Sequence, residues 1–357
     1  MRDPATVPVT PLPRLPAPAP RPVALEIEGL WKLFGAPRDI AALDLPDATP
    51  EALARRNVVG AVCDANFTVG QGEVFVLMGL SGSGKSTLLR CMTRLIEPTR
   101  GAVRMQGTDL CRASPTALIE MRRKKMGMVF QHFALLPNRT VLGNIAFPLE
   151  VQGMARDAAE ARARALIETV GLTGREDRYP AQLSGGQQQR IGIARSLATD
   201  PAFWFLDEPF SALDPLIRAD LQDELLRLQR HLAKTVVFVT HDLEEAIRIA
   251  DRIAIMEAGR IVQIDTPEGL VTRPATDYVR RFVANVRPAR VVRVASLMRA
   301  AGVERPTGDP VAAAATIEEI APRLLAAGPD LPVVSGGVVV GILGRDAALR
   351  VLAGDAP

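Results

Sequence analysis

The chain has 357 residues, with hydrophobic content of 48%, charged content of 23% and a formal net charge of +3. That is enough for one large domain and a smaller one, and too little positive charge to argue for a nucleic-acid binder. Three cysteines, Cys63, Cys91 and Cys111, show no C-x-x-C spacing, so neither a disulfide framework nor a zinc site is indicated and reduced thiols are expected. No apolar run approaches the roughly 18 residues of a membrane span, and the N-terminus lacks the apolar core of a signal peptide. Work at a membrane would need a partner that holds the chain there.

In chain order, prolines at 4, 8, 11, 13, 16, 18, 20 and 22 predict a disordered or polyproline II tail over 1–22, with a PxxP-type ligand as the functional alternative. Leu25 to Leu30 alternates as a half-buried strand. The apolar run Val74-Phe75-Val76-Leu77-Met78 predicts a buried strand, Leu88 to Met92 a helix, and between them Gly79-Leu80-Ser81-Gly82-Ser83-Gly84-Lys85-Ser86-Thr87 fits G-x-x-x-x-G-K-[ST]. A strand before and a helix after is the context a phosphate loop requires. Its three glycines let backbone NH groups turn around a phosphate and the helix N-terminus adds a favourable dipole, while Lys85 brings charge to the β/γ oxygens and Ser86 can ligate Mg²⁺. The chemistry indicated is that of a nucleoside triphosphate.

Farther on, Leu183-Ser184-Gly185-Gly186-Gln187-Gln188-Gln189-Arg190 precedes a predicted helix, with Ser184 as N-cap and two glycines exposing NH groups at a positive helix end, a second anion site. Phe203 to Leu206 is an apolar strand that delivers Asp207 and Glu208 at its C-terminal end, the edge where open α/β sheets hold ligands. Asp207 is placed to hold Mg²⁺ directly or through water, and Glu208 to act as general base on the attacking water. A third strand, Thr235 to Thr240, ends at His241, which can donate to a γ-phosphate. Ile253 to Met256 and Ile261 to Ile264, joined by Glu257 to Arg260, predict a hairpin. Next comes an arginine-rich link with Arg280, Arg281, Arg287, Arg290, Arg293 and Arg299, and then two short strands around Gly336-Gly337 and a helix from Arg345. There is no second phosphate loop.

Leu183 to Gln187, lying between a phosphate loop and an acid-tipped strand, makes the chain resemble the ATP-binding subunit of an ABC transporter over roughly residues 25 to 286. The resemblance implies ATP and Mg²⁺ as cofactors and an α/β P-loop ABC-type ATPase fold. Nucleotide binding would fall to Gly79, Ser81, Gly82, Gly84, Lys85, Ser86 and Thr87. The signature residues Ser184, Gly185, Gly186 and Gln187, with Asp214 of the D-loop-like Ser211-Ala212-Leu213-Asp214, would bind the nucleotide held by a second copy. It also implies Gln131 as the Q-loop glutamine on Mg²⁺ and water, His241 as the switch histidine, and Phe34 stacked on adenine. Phe34 lies farther ahead of Lys85 than the family's usual spacing, because of the stretch 36 to 60.

That stretch resembles an insertion of the glycine betaine, proline betaine and choline importers. Leu95 to Gly101, Met121 to Lys125, Leu213 to Arg218 and Pro274 to Val279 are similar to runs in the same subfamily. The helix-borne cluster Arg122 to Lys125 reads by default as a solvated face. Leu331 to Val334 and Gly341 to Asp346 resemble one CBS repeat, with a small structural cap as the alternative. The domains expected are a tail over 1–22, the ATPase over 23–286 with its insertion at about 36–60, and a single CBS-like α/β region over 287–357. The resemblance further implies import of a quaternary amine osmolyte through integral membrane permease subunits, indirect work with a periplasmic or extracellular solute-binding protein, no nucleic-acid partner, and a peripheral place on the cytoplasmic face of the inner membrane. An importer of another small solute, or a soluble ABC ATPase outside transport, stays open.

Overall fold

A computed structural model describes residues 21–45, 48–131, 134–211, 213, 215–232, 234–300, 308–326, 328 and 330–355. The tail expected over 1–22 therefore lies outside the described residues except for Arg21 and Pro22. The chain divides into two compact units, of which one spans Arg21–Thr266 and the other contains the described residues from Pro267 onward. The first unit ends earlier than the boundary expected at 286. The helices Pro267–Thr272 and Asp277–Val283 belong to the later unit, and no change of composition marks that break.

In the first unit the strands are β1 (Val23–Phe34), β2 (Val59–Gly70), β3 (Val74–Met78), β4 (Arg100–Met105), β5 (Thr108–Asp109), β6 (Met126–Val129), β7 (Phe203–Asp207), β8 (Thr235–Val239), β9 (Arg252–Glu257) and β10 (Arg260–Asp265). They form an antiparallel sheet ordered β2-β1-β4-β5 and a six-stranded sheet ordered β10-β9-β3-β8-β7-β6. Every residue of β3, β7 and β8 is buried, as expected of parallel strands covered on both faces. The core fills the space between the sheets: Leu25, Ile27, Phe67 and Val103 pack with Leu88, Leu89 and Met92 of the helix Lys85–Met92 and with Phe75, Leu77 and Phe205. Phe67 of one sheet stacks on Phe75 of the other, with ring centroids 4.9 Å apart. Among the described residues no helix is long and apolar enough to cross a membrane.

The β9–β10 turn is tighter than the sequence suggests. Only Ala258 and Gly259 leave the ladder, with φ of 46° and 80°, and positive φ at both positions is what a two-residue primed turn demands. The basic cluster also differs from a plain solvated face. Arg122, on the helix Pro115–Lys125, donates to the Thr93 carbonyl at 3.1 Å and to the Arg94 carbonyl, and so caps the C-terminal end of the helix Lys85–Met92.

The second unit has strands β11 (Met298–Arg299), β12 (Val311–Ala312), β13 (Leu331–Ser335) and β14 (Val338–Leu343), ordered β11-β14-β13-β12. Gly336 and Gly337 turn the β13–β14 hairpin with φ of 57° and 81°, and the helix Arg345–Ala353 follows. Several arginines of the expected link are held inside this unit. Arg287 and Arg290 reach Glu318 at 2.8 and 3.6 Å, and Arg299 reaches Asp330 at 2.8 Å.

Candidate nucleotide site

The C-terminal end of β3 opens directly into the phosphate loop. Gly79, Gly82 and Gly84 have φ of +151°, +80° and +100°, conformations that L side chains rarely adopt. Gly84 is the N-cap of the helix Lys85–Met92, and no side chain caps it, so the first-turn NH groups are available to an anion. Lys85 is 4% exposed, and its Nζ donates to the carbonyls of Gly79 and Leu80 at 2.9 and 3.0 Å. Burial pushes its pKa below the usual lysine value, against the opposing pull of Glu208 and Asp207.

The glycines differ in what they tolerate. A Cβ on Gly84 would fall inside contact distance of the Ala61 carbonyl oxygen, whereas one on Gly82 would meet nothing within 4 Å. Gly82→Ala is therefore expected to cost about 1–2 kcal/mol of left-handed strain, and Gly84→Ala clearly more, because backbone must also move. Urea unfolding of both variants checks this, and equal losses would count against the close approach.

The carboxylates stand at the same sheet edge. Asp207 is 1% exposed and one of its oxygens accepts from Arg90 Nη2 at 3.1 Å, while its Oδ1 is buried with no partner. An unsatisfied buried carboxylate oxygen is costly unless something else completes it. A hard cation or its water is such a group, and Ser86 and Gln131 face the adjoining cavity. Among the described residues no three His, Cys, Asp or Glu side chains gather to hold an ion by themselves.

Glu208 has φ of 45°, a left-handed backbone fastened by its NH to the Val239 carbonyl at 3.0 Å. This turns its side chain toward two others: Glu208 Oε2 lies 3.2 Å from His241 Nδ1 and accepts from Gln131 Nε2 at 3.4 Å. Gln131, Glu208 and His241 follow β6, β7 and β8, three strands in parallel register, so the sheet itself brings them together.

Gln131 and Glu208, but not His241 or Asp207, line a cavity of about 620 Å³ together with Ser81, Gly82, Lys85, Ser86 and Thr87 among others. Leu53, Val58, Gly60, Cys63 and Arg260 also line it, and the sequence motifs do not indicate them. Phe34, expected on adenine, is 45% exposed and does not line the cavity; its ring carries the Lys32 ammonium 4.8 Å from the centroid. The signature residues do not line it either. Ser184 caps the helix Gly185–Leu197, its Oγ accepting from Gln187 NH at 3.3 Å while Gln187 Oε1 accepts from Ser184 NH at 3.0 Å. This reciprocal capping box leaves Ser184 and Gly185 exposed. Asp214 lies outside the described residues.

Comparison with known proteins bears on this arrangement. Residues 62–211 match a family model described as ABC transporter. The trimethylamine N-oxide transport system ATP-binding protein TmoW of Ruegeria pomeroyi is 51% identical over 330 residues, which cover 92% of this chain and 96% of that relative. The glycine betaine/proline betaine transport system ATP-binding protein ProV of Escherichia coli is 46% identical over 279 residues, 78% of this chain and 70% of ProV. Among solved structures, the dimeric ATP-binding cassette MJ0796, in a post-hydrolysis state bound to ADP and Pi, is 31% identical with a TM-score of 0.58, covering 68% of this chain and 98% of that one.

Proposed function

This chain belongs to the ABC transporter family as an ATP-binding subunit, an ATPase that powers transport, and from that premise we propose that it drives import of a small N-methylated amine, trimethylamine N-oxide or a betaine, through separate permease subunits. The observation that carries the choice of cargo is the reach of the similarity. The TmoW match runs through nearly the whole of both chains, whereas the ProV match leaves out much of each. Trimethylamine N-oxide is accordingly put ahead of glycine betaine, proline betaine and choline.

In the reaction, the phosphate-loop NH groups and Lys85 hold the β- and γ-phosphates. Glu208 takes a proton from the attacking water as its oxygen bonds to the γ-phosphorus and the bond to the β–γ bridging oxygen breaks. Gln131 orients that water, and His241 donates to a γ-phosphate oxygen. Asp207 and Ser86 would hold Mg²⁺, which when bound neutralises charge on the phosphate oxygens. The signature segment Ser184 to Gln187, exposed at Ser184 and Gly185, completes the site of a second copy, so the working form is a homodimer seated on the permease at the cytoplasmic face, fed indirectly by a solute-binding protein. The domain reading keeps residues 287–357 outside ATP chemistry, as one CBS-like α/β repeat. Its β12–helix–β13–β14–helix order supports that reading.

Uptake of labelled trimethylamine N-oxide, glycine betaine and choline by cells with and without the gene tests the cargo. Trimethylamine N-oxide uptake is expected to disappear with the gene and return on complementation. Unchanged entry of all three, with loss of some unrelated solute, would remove the assignment.

A further inference from the structure

We propose that Arg218 is a positioning residue for hydrolysis, which ties the turn after Glu208 to the turn that carries His241 and so sets the geometry of that pair. The inference rests on the reading of Glu208 as base and His241 as donor to the γ-phosphate. From the sheet side both turns are already held: Glu208 NH donates to the Val239 carbonyl at 3.0 Å, and Thr240 NH to the Leu77 carbonyl at 3.2 Å. Glu208 and His241 themselves stand beyond the strand ends, where ladder bonds stop and a turn can shift unless something else fastens it.

Arg218 supplies that fastening. It lies on the helix Pro215–Leu232, and its Nη1 donates to Asp242 Oδ2 at 3.2 Å while its Nη2 donates to the Leu213 carbonyl at 3.2 Å. A planar fork with donors in fixed directions suits a bridge between acceptors on two different segments. On one side the bridge reaches Glu208 through a closed turn. Leu213 NH donates to the Phe210 carbonyl at 3.2 Å, and Ser211 donates to the Glu208 carbonyl from its NH at 3.3 Å and from its Oγ at 3.1 Å. On the other side Asp242 follows His241 directly, and Asp242 NH donates to Thr240 Oγ1 at 3.0 Å, so His241 stands between two anchored residues.

Asp242 divides its work between its two oxygens. Oδ1 accepts from the Glu245 NH at 3.2 Å and caps the helix Leu243–Ile249, which leaves Oδ2 for Arg218. One turn beyond Arg218 on the same helix face, Gln222 Nε2 donates to Glu245 Oε1 at 3.1 Å, so the two helices meet along a short polar seam. An ion pair whose side chains are 28% and 31% exposed contributes little to stability, and Arg218 Nε is buried with no partner, which is a cost. A weak pair kept at a cost, and bridging the turns of the two reacting groups, is placed for geometry.

The test is steady-state hydrolysis of Mg-ATP by the full chain, with kcat expressed per ADP-binding site so that unfolded protein does not count. Arg218→Met removes the fork, and Asp242→Asn cuts the bridge from its other end while keeping an N-cap oxygen. Each is expected to lower kcat by about 10–10²-fold, the size of effect that misplacing a reacting group produces, with ADP affinity unchanged because the phosphate loop is untouched. In a His241→Ala background each should cost less than about twofold more, since residues that act as one unit do not add. A merely structural role would cost the same factor in both backgrounds. Unchanged kcat in either variant, or the full loss on top of His241→Ala, would overturn the proposal. A His241→Ala chain that hydrolyses at the unmodified rate would instead remove His241 from the reaction, and with it the reading on which the proposal stands.

Discussion

Glu208→Gln is expected to keep ATP binding and to lower hydrolysis by about 10²–10⁴-fold, the usual contribution of a positioned general base. The two side chains have nearly the same shape, so the left-handed backbone at Glu208 and its NH bond to Val239 stay in place. What is lost is an oxygen able to keep a proton, at the atom that already lies within hydrogen-bonding range of His241 and Gln131. With hydrolysis stalled, bound nucleotide should accumulate in the closed pair. Shifting a pair from about 1:99 closed to the reverse takes about 5.5 kcal/mol of differential binding. Two nucleotides can supply this with one or two charge-assisted hydrogen bonds each, at about 1.5–3 kcal/mol apiece. Size-exclusion chromatography with ATP should therefore show a dimer, and phosphate release should be nearly absent. Turnover at the unmodified rate would take the role of base away from Glu208.

How far the site was legible depends on whether its parts are local. The strands β3, β7 and β8 are unbroken apolar runs, and the residues that follow them carry the phosphate loop, Asp207 with Glu208, and His241. A strand and its C-terminal turn can be read within one short window. The partner of the Ser184 cap could also have been read, since Gln187 stands at the S-x-x-Q spacing of a capping box.

The cavity lining from Leu53, Val58, Cys63 and Arg260 could not be read in this way. Arg260 and Ala48 are 212 residues apart in sequence, and Arg90 and Asp207 are 117 apart. No periodicity or turn chemistry links such positions. Long-range packing of sheets, hairpin and helix creates those contacts, and only the folded chain contains them. Phe34 shows the converse: the family resemblance places it on adenine despite a longer spacing to Lys85, and in the folded chain it lies outside the cavity. The early end of the first unit was hidden for a similar reason. The helices after Thr266 look like those before it, and what assigns them is the company they keep.

Lys85→Ala is expected to abolish nucleotide-dependent function while sparing the fold, and these two outcomes separate a phosphate ligand from a structural brace. The ammonium donates to the Gly79 and Leu80 carbonyls, and at the β- and γ-phosphates it would exchange neutral acceptors for charged ones. Two charge-assisted bonds at about 1.5–3 kcal/mol each correspond to a loss of about 10²–10⁴-fold in binding or rate. The folded-state pKa of Lys85 is depressed, chiefly by burial, so the fold binds this proton more weakly than the unfolded chain does. The charged lysine therefore destabilises the fold at every pH below its folded-state pKa, and that penalty fades as the pH rises through this value towards the unfolded one. At neutral pH without nucleotide that penalty opposes the loss of the two carbonyl contacts, so Lys85→Ala should melt close to the temperature of the unmodified chain. Mg-ATP should raise the melting temperature of the unmodified chain by mass action and leave that of the variant unmoved. A variant that melts well below the unmodified chain without nucleotide would show that the two carbonyl contacts, rather than the phosphates, are what this lysine is for.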